Sequence, residues 1–137
     1  MEVTNIPFVK HLGIEQEESQ LVLASSYELE NHIGTIHASA QFALAETQSG
    51  LFLQKEFSDI ENEVLPLLRS STVKYKSPAT TKLKAVARVN DELKSKFKEQ
   101  FLKRGRATIA VEVKLLDSDD IVTMVGEFVW FVQRVNR

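Results

Sequence analysis

The sequence predicts an α+β fold in which an antiparallel sheet packs against one long buried helix. Three observations predict it. From about His37 to Phe57 there is no proline and the only glycine is Gly50, while Ala38, Ala40, Ala43, Ala45, Ser49 and Gly50 keep the segment low in bulk, so a sheet can wrap closely around it. Much of the remaining chain alternates apolar and polar residues, or runs apolar, between short polar connections, which favours antiparallel pairing. The resulting order is strand, strand, long helix, strand, strand, surface helix, strand, strand, rather than alternating βαβ units.

Residues 5 to 12 read as a short helical turn opened by Pro7, with Phe8, Val9 and Leu12 on one side. Leu12-Gly13-Ile14 and Leu21 to Leu29 read as two strands joined through the polar stretch Glu15 to Gln20. The helix from His37 to Phe57 has Phe42, Leu44, Ala45, Leu51, Phe52 and Leu53 on several sides, the pattern of a buried helix, and would run for roughly 30 Å. After an acidic loop, Asp59 to Glu63, the chain alternates over Val73 to Lys76 and over Leu83 to Val89, with Pro78 marking the turn between them. Asn90 or Asp91 caps a second helix with Leu93, Phe97 and Phe101 on one face, and Gly105 stops it. Thr108 to Leu116 alternates cleanly. Asp117 to Asp120 is a turn, and Ile121 to Val132 is nearly continuously apolar, as in a strand covered on both faces or lying at a subunit contact.

A chain of 137 residues fits one domain with a real core, taken as residues 1–137. Its 43% hydrophobic and 26% charged residues are ordinary for a soluble globular protein, and no apolar run approaches the roughly 20 residues that span a bilayer. The net charge of −2 recruits neither nucleic acid nor anionic lipid. With no cysteine, a thiol nucleophile, a disulfide framework and a thiolate metal site are excluded. His11, His32 and His37 do not form a helical ligand pair, and there is no phosphate-cradling glycine loop and no Gly-x-Ser-x-Gly elbow, so no metal or cofactor is expected. The first residues lack a basic region followed by an apolar stretch, which makes the cytoplasm the default location.

The residues that carry chemistry lie around the start of the long helix. Asn31-x-x-Gly34-Thr35-x-His37 opens it, Ala43-Leu44-Ala45-Glu46 lies within it, and Val73-Lys74-Tyr75-Lys76-Ser77-Pro78-Ala79 follows as a strand. In this order the set resembles the hotdog-fold thioesterases, over about Leu12 to Trp130, and most of all the phenylacetyl-coenzyme A thioesterase-like branch, whose helix start typically reads Asn, Gly, His-Gly-Gly and then Leu-Ala-Asp. Here His-Gly-Gly is replaced by His37-Ala38-Ser39, the acid is Glu46 rather than Asp, and Thr80-Thr81 stand where a glycine usually follows Pro-Ala. The helix from Asn90 to Arg104 is an addition to the minimal hotdog and resembles an uncharacterised subgroup of the superfamily.

The resemblance implies a hotdog fold, with the sheet wrapped around one long central helix and the second helix lying short on the surface. It also implies a homodimer, with a tetramer as the next open level of assembly, that binds acyl-CoA or a related acyl thioester at the subunit interface. The carboxylate of one subunit then faces the helix start of the other. Elementary geometry agrees: Glu46 lies nine positions beyond His37, roughly 13 Å along a straight helix, so one helix cannot bring both groups to one carbonyl. Backbone N–H groups in a helix's first turn are unpaired and sit at its positive end, which suits them to a thioester oxygen becoming negative, and Ala38 is the candidate donor. Glu46 would activate water, with a pKa raised by desolvation, or attack the thioester to form an anhydride; the alternative is an ordinary surface or ion-paired helix residue.

Other candidates carry two readings each. His37 is a helix cap or a chemical participant, and Asn31 either shapes the loop or orients water or the thioester. Lys74, Lys76, Lys82 and Lys84 share a parity on two strands read as neighbours, so they form either a cationic patch for the phosphates of coenzyme A or a solvated face. Ser70, Ser71 and Thr72 lie on a strand that contributes a hydroxyl in relatives, and one residue of register decides which. Trp130 and its apolar neighbours read as core or interface, with substrate contact as the alternative. An acyl-CoA hydrolase leads; a hotdog that binds acyl chains without turnover, and a hydratase or dehydratase using His37 and Glu46, are the competitors.

Overall fold

The computed structural model describes residues 1–135. Pro7–Leu12 forms helix α1, Glu15–Glu17 strand β1, Gln20–Leu23 β2, Ala38–Glu56 helix α2, Val64–Tyr75 β3, Leu83–Arg88 β4, Asp91–Arg104 helix α3, Arg106–Leu116 β5 and Val122–Arg134 β6. The six strands make one sheet in the order β1-β2-β4-β5-β6-β3, with every neighbouring pair antiparallel. The sheet wraps α2, which is the expected hotdog arrangement.

Two faces of α2 are buried, against different things. Leu44 and Ala45 are fully enclosed beneath the sheet, and Gln48 Oε1 accepts a hydrogen bond from the Leu21 amide at 2.7 Å, supplying an acceptor to a backbone group at β2. On the other side, Trp130 of β6 donates from Nε1 to Ser49 Oγ at 2.9 Å and tethers helix to sheet. Gly50 costs helix propensity, but a Cβ there would stand 3.4 Å from the Trp130 ring. Its absence lets helix and strand approach. Ser49→Ala should strand a buried indole N–H and cost about 1–3 kcal/mol, read as a lowered urea midpoint with unchanged slope.

Helix α3 closes the far end of α2. The Asn90 side chain accepts from the Leu93 amide at 2.8 Å and so caps its start, while Gly105, with φ 72°, ends it. Phe97 and Phe101 are buried, and the Phe97 ring sits 4.7 Å from Phe57 at the end of α2. Leu93, expected on the same face, is instead 40% exposed at the edge of the contact.

Several expectations need correction. The first hairpin strand is Glu15–Glu17, within the stretch read as a connection, because Leu12 ends α1 and Gly13 caps it at φ 79°. An edge strand tolerates its acidic composition, since charges there block further pairing. The turn of that hairpin is only Glu18-Ser19, with Glu18 at φ 59°. Strand β2 ends at Leu23, and the chain then leaves the sheet through a 3₁₀ turn at Tyr27–Leu29. The acidic loop is a 3₁₀ turn, Ser58–Glu63. Strand β3 starts at Val64, well before Val73; Pro66 is accepted at an edge, and a bulge between Leu68 and Ser70 breaks the alternation that would have revealed it. Phe8 does not share the buried side of Val9 and is 62% exposed. β6 is covered on one face by α2, while Val125, Val129 and Phe131 on the other are half-buried, with the Arg69 guanidinium 4.5 Å above the Phe131 ring.

Strands β3 and β4 are not neighbours, and this revises the lysine cluster. β5 and β6 lie between them, so β3, with Lys74, is roughly 14 Å from β4, with Lys84, at about 4.8 Å per strand. The chain after Pro78 crosses the end of the sheet, where the Ala79 carbonyl accepts from the Ile36 amide at 2.8 Å.

Candidate active site

The loop before α2 is built by Asn31. Its Oδ1 accepts from the amides of Ile33 and Thr35, both at 3.0 Å, and its Nδ2 donates to Thr35 Oγ1 at 2.7 Å. Gly34, at φ 80°, takes the left-handed position this tight turn requires. Both polar ends of the Asn31 amide are thereby used in shaping the loop. The His37 amide donates to the Leu29 carbonyl at 2.8 Å, which fixes where the helix begins.

His37 is the N-cap of α2. Its Nδ1 accepts from the Ser39 amide at 2.9 Å, so the neutral ring carries its proton on Nε2, the one nitrogen left for other partners. The amides of Ala40 and Gln41 turn back to the His37 carbonyl, whereas the Ala38 N–H has no acceptor among the described residues. Ala38 is exposed. It therefore presents an unpaired donor at the positive end of a 19-residue helix.

Glu46 is half-buried, two turns further along α2, and among the described residues its carboxylate has neither a hydrogen bond nor an ion pair. Burial alone pushes its pKa above the ordinary glutamate value. It borders a pocket of about 630 Å³ lined mainly by apolar side chains, among them Val3, Val9, Leu53, Phe57, Phe97 and Trp130. Because the folded pKa is raised, the stabilising contribution of the protonated form is complete below the unfolded value and is lost as pH rises through the folded one. Glu46→Gln should therefore melt above the wild type at pH 7, with the difference closing below about pH 4 in a thermal-denaturation series.

Register now sorts the three hydroxyls. Ser71 pairs with Phe128, which is buried against α2, so Ser71 shares the helix-facing side, while Ser70 and Thr72, paired with Val129 and Glu127, lie on the outer side. Of the lysines, Lys82 is ion-paired to Glu17 at 2.6 Å and Lys84 to Asp120 at 3.5 Å. Lys74 and Lys76 have no ion pair among the described residues and flank Tyr75 at the end of β3. Within one subunit the two pairs therefore lie at separate strands of the sheet.

Two contributors escaped the sequence reading. Tyr75 donates its hydroxyl to the Ala38 carbonyl at 3.1 Å, linking the end of β3 to the first residue of α2, and burial raises its pKa. Its inward parity, two residues beyond Val73, was the available signal. The second is the N-terminal segment: Val3, Ile6, Phe8 and Val9 form a wall of the pocket. No helix among the described residues is long and apolar enough to cross a membrane.

Comparison with solved structures supports the fold. A Pseudomonas aeruginosa protein described as a probable thioesterase superposes with a TM-score of 0.84 at 24% identity, covering 97% of this chain and 91% of its own. A thioesterase from Haemophilus influenzae gives 0.75 at 15% identity, covering 99% and 89%. A Bacillus halodurans protein whose structure contains CoA gives 0.72 at 19% identity, covering 91% and 74%. No curated protein matches the chain in sequence. A family model described as "Domain of unknown function (DUF4442)" matches residues 4–132, and the chain belongs to that family.

Proposed function

We propose that this protein is an acyl-CoA or related acyl thioester hydrolase, a single hotdog domain that acts as a homodimer with its active site at the subunit interface. The observation that carries the reading is Glu46: a carboxylate without a partner among the described residues, half-buried on the wall of a mainly apolar pocket, in the same helix whose first amide has no acceptor among them. A carboxylate is not left desolvated beside apolar side chains without cost, and such placement is typical of acid–base groups.

In the first route Glu46 takes a proton from water as the water oxygen attacks the thioester carbon, and the oxyanion is held by the Ala38 amide of the second subunit. Collapse expels the thiolate, which takes up the proton. In the second route the carboxylate itself attacks, releasing thiolate and leaving a mixed anhydride that water cleaves. Strand β3 offers the joining edge: it is 12 residues long, borders the sheet, and exposes Leu65 and Leu67 by 50% and 53%. The description of the Haemophilus protein as a thioesterase and of the Pseudomonas protein as a probable one, and the CoA in the structure of the Bacillus protein, support the same chemistry. The helix-start motif keeps the phenylacetyl-CoA thioesterase-like branch as the finer placement.

Hydrolysis of a panel of acyl-CoAs, followed by a thiol reagent, tests the proposal. The chain has no cysteine, so every thiol detected is released CoA. Turnover absent from every ester would overturn it. The engagement of both ends of the Asn31 amide within its own loop favours a second reading, a module that binds acyl-CoA and leaves it intact. Calorimetric binding without thiol release would select that one.

A further inference from the structure

Each of the two groups assigned to the chemistry is held through its backbone. The Ala38 N–H has nothing of its own to fix it, since it has no acceptor among the described residues. It is bracketed instead. On one side the His37 amide donates to the Leu29 carbonyl at 2.8 Å, and on the other the Ala38 carbonyl accepts from the Tyr75 hydroxyl at 3.1 Å. The Glu46 carboxylate likewise has neither a hydrogen bond nor an ion pair among the described residues, so its place is set by where its backbone stands.

That backbone is tied to the sheet in two steps. Ser49, fully buried, donates its hydroxyl to the Glu46 carbonyl at 2.6 Å and accepts from Trp130 Nε1 at 2.9 Å. A serine bonding back to a carbonyl one turn earlier is common within helices. A donor from β6 onto the same hydroxyl is not a local matter, because Trp130 lies 81 residues further along the chain. Tyr75 is the last residue of β3 at the sheet edge, and Trp130 stands in β6, the strand beside it. Both tethers therefore start from adjacent strands, and each ends on the carbonyl of a residue that carries the chemistry.

Resting on the acyl thioester reading above, we propose that Tyr75 and the pair Trp130 and Ser49 are positioning residues: the first fixes the Ala38 amide, the second fixes Glu46, and the sheet between them sets the distance from donor to carboxylate. With the β3 edges joined, the path from Ala38 of one subunit to Glu46 of the other runs from Tyr75 along β3, across the joint, and through β3 and β6 of the second subunit to its Trp130 and Ser49. Between the two tethers that path is hydrogen-bonded strand throughout. None of the three side chains needs to touch the reacting atoms. Their effect is on geometry, to which rate is sensitive, since a misplacement of about 1 Å can cost about 10²-fold.

The experiment uses the full chain, with kcat and KM followed by thiol release. Tyr75→Phe removes one hydroxyl and keeps the ring. It should lower kcat about 10- to 100-fold and leave KM near its wild-type value. In an Ala38→Pro background, where the N–H is already gone, the same substitution should cost less than about twofold. Ser49→Ala, assayed well below its unfolding midpoint, should also lower kcat about 10- to 100-fold, and should cost less than about twofold when Glu46 is already Gln. A merely structural role gives the same fractional loss in every background, so equal losses overturn the inference, as does a wild-type kcat in Tyr75→Phe. Should Ser49→Ala fail to fold by circular dichroism, the Tyr75 series decides. The order parameter of the Ala38 N–H, measured by nitrogen relaxation, is a readout apart from turnover and should fall from about 0.85 toward 0.6 in Tyr75→Phe. Loss of order with no ester hydrolysed sustains the tether and removes the hydrolase; hydrolysis with kcat and order parameter both unmoved in Tyr75→Phe does the reverse.

Discussion

Glu46→Gln is expected to reduce acyl-CoA turnover by about 10²- to 10⁴-fold, the loss typical when a positioned base is removed. The substitution is nearly isosteric, and the amide retains the carboxylate's shape on the pocket wall while losing its ability to accept a proton or attack a carbonyl. Substrate affinity should change little, so the effect should appear in kcat and leave KM near its wild-type value. This pattern distinguishes chemistry from packing. The pH profile supplies an independent readout: since burial raises the pKa of Glu46, the acid limb of kcat in the wild type should fall off above the ordinary glutamate range, and that limb should vanish from the residual activity of the variant. Wild-type rates in Glu46→Gln would remove the carboxylate from the mechanism under either route.

The same residue shows what could be read from the chain before its structure. Glu46 stood out because it occupies a helix of small residues, where a charge has nowhere to spread, and the structure places it half-buried and unpaired. The helix itself was legible to within a residue at its start, since Gly34 and His37 supply a left-handed turn and a cap. Strands β5 and β6 were legible from alternation and apolar run. Edge strands were not. β1 is acidic, and the first half of β3 contains Pro66 and a bulge, so both violate the patterns that identify central strands while satisfying the demands of an exposed edge. Strand order was misread at the lysines because consecutive strands usually pair, whereas here the chain crosses the sheet after Pro78. The pocket was least legible of all. It joins α1, the middle of α2, the start of β3, one ring of α3 and the end of β6, segments far apart in sequence, and its one local trace is the stripe of Ala43, Glu46, Thr47, Gly50, Leu53 and Gln54 along α2.

Mixing two inactive variants should restore activity, and this is the sharpest expectation of an interface site. Ala38 is the first residue of α2, and the preceding His37 has φ −59° and ψ 140°, an extended conformation compatible with a following proline. Ala38→Pro therefore deletes the free N–H while keeping the helix start, because proline is favoured at that position. Loss of an oxyanion donor should lower kcat about 10²- to 10³-fold. Glu46→Gln alone is also deficient. When the two proteins are unfolded together and refolded in equal amounts, random pairing makes half of the dimers mixed, and each mixed dimer contains one site with Glu46 from one subunit and the Ala38 amide from the other. Activity should recover to roughly a quarter of the wild-type value. A site built within one subunit predicts no recovery, since every chain then carries a defect in its own site. The spacing already argues against that alternative, as eight residues of helix separate Ala38 from Glu46 by roughly 12 Å. In the proposed dimer the β3 edges join, so a proline or lysine that breaks this edge should abolish the recovery together with any dimer in sedimentation.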